Sequence, residues 1–312
     1  MNKAYRFRIF PNGEQKAKIE NTFNCVRFIF NKMLSDRLAY YNQTGKRLRN
    51  TPAQYKKEFP WLKEVDSLAL ANAQMHLMAA YERFFKNPAG NLPQFKTKRR
   101  SKKTYTTNCV NGNIIIRCGE IRLPKIGFVR IKLHRVIPKD FRLKAVTVIR
   151  DARGLYYASV LFEYEQTVPE TVPERVIGLE YSDTGLYTDS NGGQMDYPPY
   201  IRQTLETLQR EKRKLLHMKK GSRNREKQRI KTMKLREKFC NQRTDFLHKH
   251  SRQIANAYDC VCMKDPAEGI SYDFGWAIFR FFLKYKLSEE GKRFIRTDNV
   301  MLSEMLYSSQ AV

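Results

Sequence analysis

The chain reads as an α+β multidomain protein: a small antiparallel β-barrel interrupted by a helical insert, followed by a domain that mixes strands with long helices. Three observations predict this. Short alternating segments stand on both sides of a long helical stretch. A Pro-punctuated segment, Thr167-Val168-Pro169-Glu170-Thr171-Val172-Pro173, marks a change in composition. A length of 312 residues is more than one core usually takes.

The first element is a strand, Tyr5 to Phe10, alternating in polarity and stopped by Pro11-Asn12-Gly13. From Glu14 to Tyr41 the apolar residues Ile19, Phe23, Val26, Phe30 and Met33-Leu34 recur at steps of three and four, so a helix with one face on a core is expected. A second helix covers Ser67 to Lys86, where Leu70, Ala73, Leu77, Ala80, Tyr81 and Phe84 repeat the pattern. This helical insert, residues 14–103, closes on a basic linker. There Lys96, Lys98, Arg99, Arg100, Lys102 and Lys103 repel one another and favour an extended, phosphate-contacting conformation. Strands return at 113–117, 120–123, 128–133, 144–150 and 155–162, separated by short turns such as Asp151-Ala152-Arg153-Gly154. With the first strand they make the barrel, residues 1–13 plus 104–172.

The second domain, 173–312, begins with a buried strand, Arg175 to Glu180, and a hairpin partner, Leu186-Tyr187-Thr188, before the turn Asn191-Gly192-Gly193. Two long helices follow, 201–220 and 224–257, broken at Gly221-Ser222. Met233, Cys240, Leu247 and Ile254 are spaced by sevens, so one stripe packs while the remaining circumference is basic. Between Gln209 and His250 sixteen Lys or Arg face four acids, a net of 16 − 4 = +12, too one-sided for internal pairing. Arg210, Lys212, Arg213, Lys219, Lys220, Arg223, Arg225, Arg229, Arg243 and Lys249 are the candidate phosphate contacts there. An apolar, strand-like run, Asp259 to Met263, then ends at Lys264.

Composition narrows the partner. Lys+Arg 59 against Asp+Glu 31 leaves a formal +28, which repels itself unless a polyanion neutralises part of it. At 41% hydrophobic and 12% aromatic the chain has cores to bury and is no basic tail. The opening residues lead into a strand rather than a signal-peptide core, and no apolar run is long enough to cross a bilayer, so a cytoplasmic, nucleoid-associated protein without a membrane partner is expected. The six cysteines form no CxxC pair, which argues against a zinc ribbon or a redox pair. His248 and His250, two apart on a helix, point in different directions and do not suit a shared metal.

Several segments carry a resemblance. Tyr5-Arg6-Phe7-Arg8-Ile9-Phe10-Pro11, Val26-Arg27-Phe28-Ile29-Phe30-Asn31, Trp61-Leu62-Lys63-Glu64-Val65 and Phe95-Lys96-Thr97-Lys98 are similar to the TnpB family, RNA-guided DNA endonucleases of bacterial insertion sequences. Arg122-Leu123-Pro124-Lys125-Ile126-Gly127 and the more specific Asn241-Gln242-Arg243-Thr244-Asp245-Phe246-Leu247-His248-Lys249 extend the likeness over nearly the whole chain. It implies an OB-like wedge barrel with an inserted helical recognition lobe, then a truncated, degenerate RuvC or ribonuclease-H-like α/β domain lacking the zinc ribbon. The implied partners are a guide RNA and a double-stranded DNA target with an adjacent motif.

The departures from that family pattern bear on catalysis. Where the resemblance implies a metal-binding aspartate stands Glu180, whose extra methylene moves the carboxylate by roughly 1.5 Å. Where it implies a glutamate stands Lys264, a change of two charge units. The third acid and the zinc ribbon have no counterpart, since Asp298 matches an earlier position, and the segment 265–275 is shorter than the family's lid. The chain therefore resembles the nuclease-dead relatives called TldR, which implies a protein that is not an enzyme, needs no Mg or Zn, and represses transcription by blocking RNA polymerase at a promoter. An RNA-guided endonuclease with atypical ligands and a decayed transposon protein that binds only RNA are the alternatives. The resemblance places adjacent-motif reading near Asn50, Gln54, Ser67 and Leu68, with Asn111 on the barrel side, residue types able to touch adenine or a thymine methyl. Lys264 is expected to pair with Glu180 or Asp265.

Overall fold

A computed structural model describes residues 1–86, 91–98, 101–165, 172–183, 185–264 and 274–297. The chain divides into two compact units, Met1–Gln166 and Thr167–Val312. Arg99, Arg100, the Pro-punctuated segment up to 171, Asp265, the lid segment up to 273, Asp298 and the tail 301–312 lie outside the described residues.

In the first unit β1, Asn2–Phe10, alternates as its sequence requires: Phe7 and Ile9 are buried while Arg6 and Phe10 face out. Helix α1, Gly13–Thr44, starts on a capping box in which the Asn12 and Gln15 side chains exchange bonds with each other's backbone, and Gln15 Nε2 also donates to the Phe128 carbonyl at 2.7 Å. It ends at Gly45, left-handed at φ 66, whose N–H returns to the Tyr41 carbonyl. Helix α2, Pro52–Glu58, and a 3-10 turn, Pro60–Lys63, were not legible beforehand, because seven and four residues are too few to display a period. Helix α3, Ser67–Lys86, follows.

The strands β2 (Lys103–Asn108), β3 (Ile115–Arg117), β4 (Glu120–Leu123), β5 (Gly127–Lys132), β6 (Arg142–Arg150) and β7 (Tyr156–Glu163) complete an antiparallel sheet with β1, in the order β2-β6-β7-β1-β5-β4-β3. β1 is its central strand. This curled antiparallel sheet stands where the barrel was expected, its hydrogen-bonded order among the described residues running from β2 to β3, and α3 packs beside β2. β2 itself overlaps the basic linker read from sequence, and its Thr-Tyr-Thr-Thr run was the missed strand signal. One core joins the inner face of this sheet to α1 and α3 through Phe7, Ile9, Phe23, Phe30, Leu70, Val146 and Val160.

The second unit contains β8 (Val176–Tyr181), β9 (Tyr187–Asp189), β10 (Gln194–Met195), α4 (Pro199–His217), α5 (Arg223–Ala257), β11 (Cys260–Lys264), α6 (Phe274–Glu289) and β12 (Arg293–Thr297). Its mixed sheet runs β10-β9-β8-β11-β12, an antiparallel meander to which β11 and β12 are added in parallel. Cys260 through Met263 are all buried, the continuous apolar run of a parallel strand covered on both faces. Of the heptad stripe on α5, Leu247 and Ile254 are buried but Met233 and Cys240 only half so, because packing against the sheet is confined to the helix's C-terminal end. Helix α6 was not anticipated, although Trp276, Phe279, Leu283 and Leu287 repeat at three- and four-residue steps and all are buried. No described helix is long and apolar enough to cross a membrane.

Candidate nucleic-acid interface

In the first unit, Lys96, Lys98, Lys102 and Lys103 converge with Arg27 around a shallow groove between α1 and the chain segment leading into β2. Sequence reasoning missed Arg27, which sits on α1 remote from the linker. The linker is not a free loop, since the Asn31 side chain donates to the Lys96 carbonyl at 2.9 Å and accepts from its N–H at 2.8 Å. The Lys96 ammonium lies 3.7 Å from the centre of the Phe30 ring, and burial there pushes it below the usual lysine range. Lys103 and Arg150 both reach Glu20 at 2.8 Å, and the Tyr156 hydroxyl donates to it at 3.1 Å. Burial alone would raise the Glu20 carboxyl, but those hydrogen bonds outweigh it and hold the group below its ordinary value. One acid from α1 thus pins the cation-bearing strands β2 and β6, while Lys98 and Lys102 stay exposed to a ligand.

The adjacent-motif candidates fare unequally. Asn50 is only 4% exposed, its amide donates to the Tyr55 hydroxyl at 2.7 Å and its Oδ1 accepts from Arg37 at 2.8 Å. That side chain is buried and engaged inside the helical insert, unlike the exposed candidates beside it. Gln54 is exposed and caps the Thr51 N–H at 3.3 Å, Ser67 is exposed and accepts from Lys56 at 2.6 Å, and Leu68 is half-buried in the first turn of α3. Thr107 on β2 donates to Asp66, so the start of α3 is tied to the strand whose following turn exposes Asn111 at φ 49.

In the second unit α4 packs on α5. Ile201, Thr204, Leu208 and Glu211, at steps of three, four and three, form the buried face of α4. Glu211 is the acid in that phase and could have been found by it. It accepts from Gln228 at 2.7 Å, Lys231 at 2.9 Å and Lys214 at 3.1 Å, and these bonds pull its pKa down to about 2. Two strongly basic helices can pack because this carboxylate lies between them. On the outside, Arg210, Arg213, Lys214 and His217 line an open groove together with Glu206 and Thr207. Lys212, Lys219, Lys220 and Arg223 are exposed, and Arg225 and Arg243 half-buried, the latter 5.0 Å from the Phe239 ring centre. Arg229 and Lys249 are engaged within their helix by Glu226 at 2.6 Å and Asp245 at 2.8 Å, exposed pairs that a phosphate can displace.

The strand-end pair is formed as expected. β11 runs parallel to β8 with Lys264 opposite Glu180, and the ammonium lies 2.7 Å from Glu180 Oε1, the two side chains being 45% and 60% exposed. The position is the carboxyl end of adjacent parallel strands, where open α/β sheets place ligands. One Glu180 carboxylate oxygen thus faces an ammonium across an exposed pair. No cluster of three or more His, Cys, Asp or Glu able to hold a metal occurs among the described residues.

Residues 1–46 match the family described as a helix-turn-helix domain of IS605 OrfB proteins, and residues 159–265 match the IS605 OrfB family described as a probable transposase. The chain belongs to the IS605 OrfB, or TnpB, family. In this TnpB-family chain the first match falls on one strand and one long helix rather than two helices. A putative RNA-guided DNA endonuclease of Streptomyces pristinaespiralis is 29% identical over 98% of this chain and 80% of its own length. The putative RNA-guided DNA endonuclease InsQ of Escherichia coli K12 is 26% identical over 84% of this chain and 66% of its own. In fold the chain is similar to one in a cryo-EM structure of a Cas12f1-sgRNA-target DNA complex, with a TM-score of 0.59 at 10% identity over 95% of this chain and 89% of that one.

These relatives overturn the expectation of a chain that is not an enzyme. Both relatives are named as RNA-guided DNA endonucleases, which points to a nuclease family. The expectation rested on Glu180, Lys264, a third acid and zinc ribbon without counterpart, and a short segment 265–275, which are departures from a family pattern and not a test of activity.

Proposed function

We propose that this TnpB-family chain carries a guide RNA and uses it to bind a matching DNA duplex beside a short motif. The observation that supports the reading is the division of charge in both units. A single buried or half-buried carboxylate, Glu20 in one and Glu211 in the other, holds cation-bearing elements together, and the remaining cations open to solvent. Such faces suit the backbone of an A-form duplex, where base pairing reads the sequence and the protein holds the strands. Gln54, Ser67, Leu68 and Asn111 are the residues we assign to the adjacent motif, with Asn50 fixing the fold behind them. When the matched site is a promoter, an occupied duplex sterically excludes RNA polymerase, and repression follows from occupancy.

The test is to purify the protein from its host, sequence the RNA that accompanies it, and measure binding to a duplex matching that RNA. A discrete RNA and guide-dependent retention of the duplex are expected. Recovery of no discrete RNA, or retention that ignores the guide, would overturn the proposal. Magnesium added to the same mixture reads strand scission, the activity carried by the relatives' names.

A further inference from the structure

Strand register brings four polar side chains into one row at the carboxyl end of the second sheet. Lys264 stands opposite Glu180 on one side and Thr297 on the other, and Glu180 stands opposite Thr188, so the row crosses β9, β8, β11 and β12. Register partners share a face of a sheet, and alternation gives the other face to Ile177, Leu179, Val261 and Met263, which pack in the core with Leu247, Trp276 and Phe279. The row therefore stands clear of that core. Its middle opens to solvent, the Lys264 and Glu180 side chains being 45% and 60% exposed, while Thr297 beside them is buried.

An ion pair this exposed adds little to stability, so its chemistry is the more informative property. A primary amine condenses with an aldehyde, and the carboxylate oxygen 2.7 Å from the Lys264 Nζ is within reach to move the protons that condensation requires. The ends of parallel strands are also where open α/β sheets receive ligands. In DNA an intact strand presents no aldehyde, whereas a deoxyribose that has lost its base does, at C1′ of the ring-opened sugar.

We propose that Lys264 and Glu180 form a lyase site for abasic DNA. Glu180 takes one proton from the Lys264 ammonium, and the freed amine attacks C1′. The new N–C bond is kept, the C1′ oxygen leaves as water with the proton that Glu180 returns, and a protonated imine remains. Glu180 then removes a C2′ proton. The electron pair of that C–H bond forms the C2′–C3′ double bond, and the C3′–O bond breaks with its pair going to the phosphate, which leaves as a 5′-phosphate end. Water hydrolyses the imine and restores Lys264, so no oxidant or reductant is consumed. This activity goes beyond the guide-directed reading and needs only that DNA reach the strand end, with or without a guide.

The test uses the full chain in EDTA with a fluorescein-labelled duplex carrying one abasic site. Its controls are the undamaged duplex and a duplex with a tetrahydrofuran in place of the abasic sugar, which has no aldehyde. Sodium cyanoborohydride reduces the imine and is expected to lock the chain to the abasic duplex alone, with mass spectrometry placing the adduct on Lys264. Lys264→Arg keeps the charge but forms no imine; it is expected to lose adduct and scission while binding the undamaged duplex within about twofold of the wild type. Glu180→Gln is expected to slow scission of the abasic duplex about a hundredfold. No adduct, an adduct on other residues and not on Lys264, an adduct undiminished in Lys264→Arg, or scission of the tetrahydrofuran duplex overturns the proposal. Adduct mapping needs only the wild-type chain, so a variant that fails to fold leaves the result decided. Guide-dependent retention of an undamaged matched duplex is scored separately: a chain that shows it and forms no adduct loses this inference and keeps the proposed function.

Discussion

At the scale of single residues, burial separates side chains that look alike in sequence. Asn50 and Gln54 are four apart and both suit adenine, yet Asn50 joins Arg37, Tyr55 and Asp36 in one network and its carbonyl accepts from Gln74 at 3.2 Å. Asn50→Ala strips a partner from the buried Tyr55 hydroxyl and from the half-buried Arg37, and is expected to cost about 1–3 kcal/mol in urea denaturation. By contrast Lys264→Met breaks an exposed pair and should change stability by less than about 1 kcal/mol in the same measurement. Lys286 is the opposite case: 3% exposed, it donates to Ser251 at 2.7 Å, and burial first, then Arg252, push its pKa down to about 8 while Glu289 opposes. A lysine whose folded pKa lies below its unfolded value of 10.5 releases its proton earlier in the native state, so stability should rise between pH 8 and 10.5. Lys286→Met is expected to flatten that part of the profile in urea midpoints taken against the wild type.

At the scale of elements, the hairpin of α4 and α5 shows how a one-sided charge run packs. Its basic surface was legible from counting residues, but the carboxylate that makes it possible was passed over because it was counted only as one of four acids. Placed in helical phase behind Ile201, Thr204 and Leu208, Glu211 could only face α5. Its folded pKa of about 2 lies below the ordinary 4.5, so its stabilising contribution is complete above about pH 4.5 and is lost as pH falls toward 2. Acid unfolding followed by far-ultraviolet circular dichroism should show Glu211→Gln less stable than the wild type at neutral pH, with the difference shrinking across that window. Helix α6 and strand β2 were missed for different reasons: α6 lies beyond the residues that drew the functional argument, and β2 is masked by the cations that precede it.

At the scale of the whole molecule, a formal +28 on 312 residues makes affinity for nucleic acid a function of salt. The logarithm of the binding constant should fall linearly with the logarithm of salt concentration. Lys98→Ala with Lys102→Ala, both exposed at the groove of the first unit, should reduce that slope by about 1.4 for single strands and about 1.8 for duplex, measured by titration at several salt concentrations. A slope that does not change would place those lysines outside the contact. The resemblance to a nuclease family was carried by motifs spread from Tyr5 to Lys249, and the family matches fall over both ends of that span. The inference of lost catalysis, drawn from departures at Glu180, Lys264, the third acid, the zinc ribbon and the lid, was overturned by relatives named as endonucleases that align over 98% and 84% of the chain.

What the residues determined unaided were the long periodic helices, the alternating strands, the excess of positive charge and the family, because each is a property of neighbours in the chain or of their sum. Only the folded chain decided which of those charges stand together. The convergence of Arg27 with Lys98, the Glu211 clamp, the burial of Asn50, the order of strands in the first sheet, and the ladder of Arg6, Tyr157, Arg8 and Phe10 all join residues distant in sequence. Strand pairing and helix packing set those distances, and local pattern does not encode them.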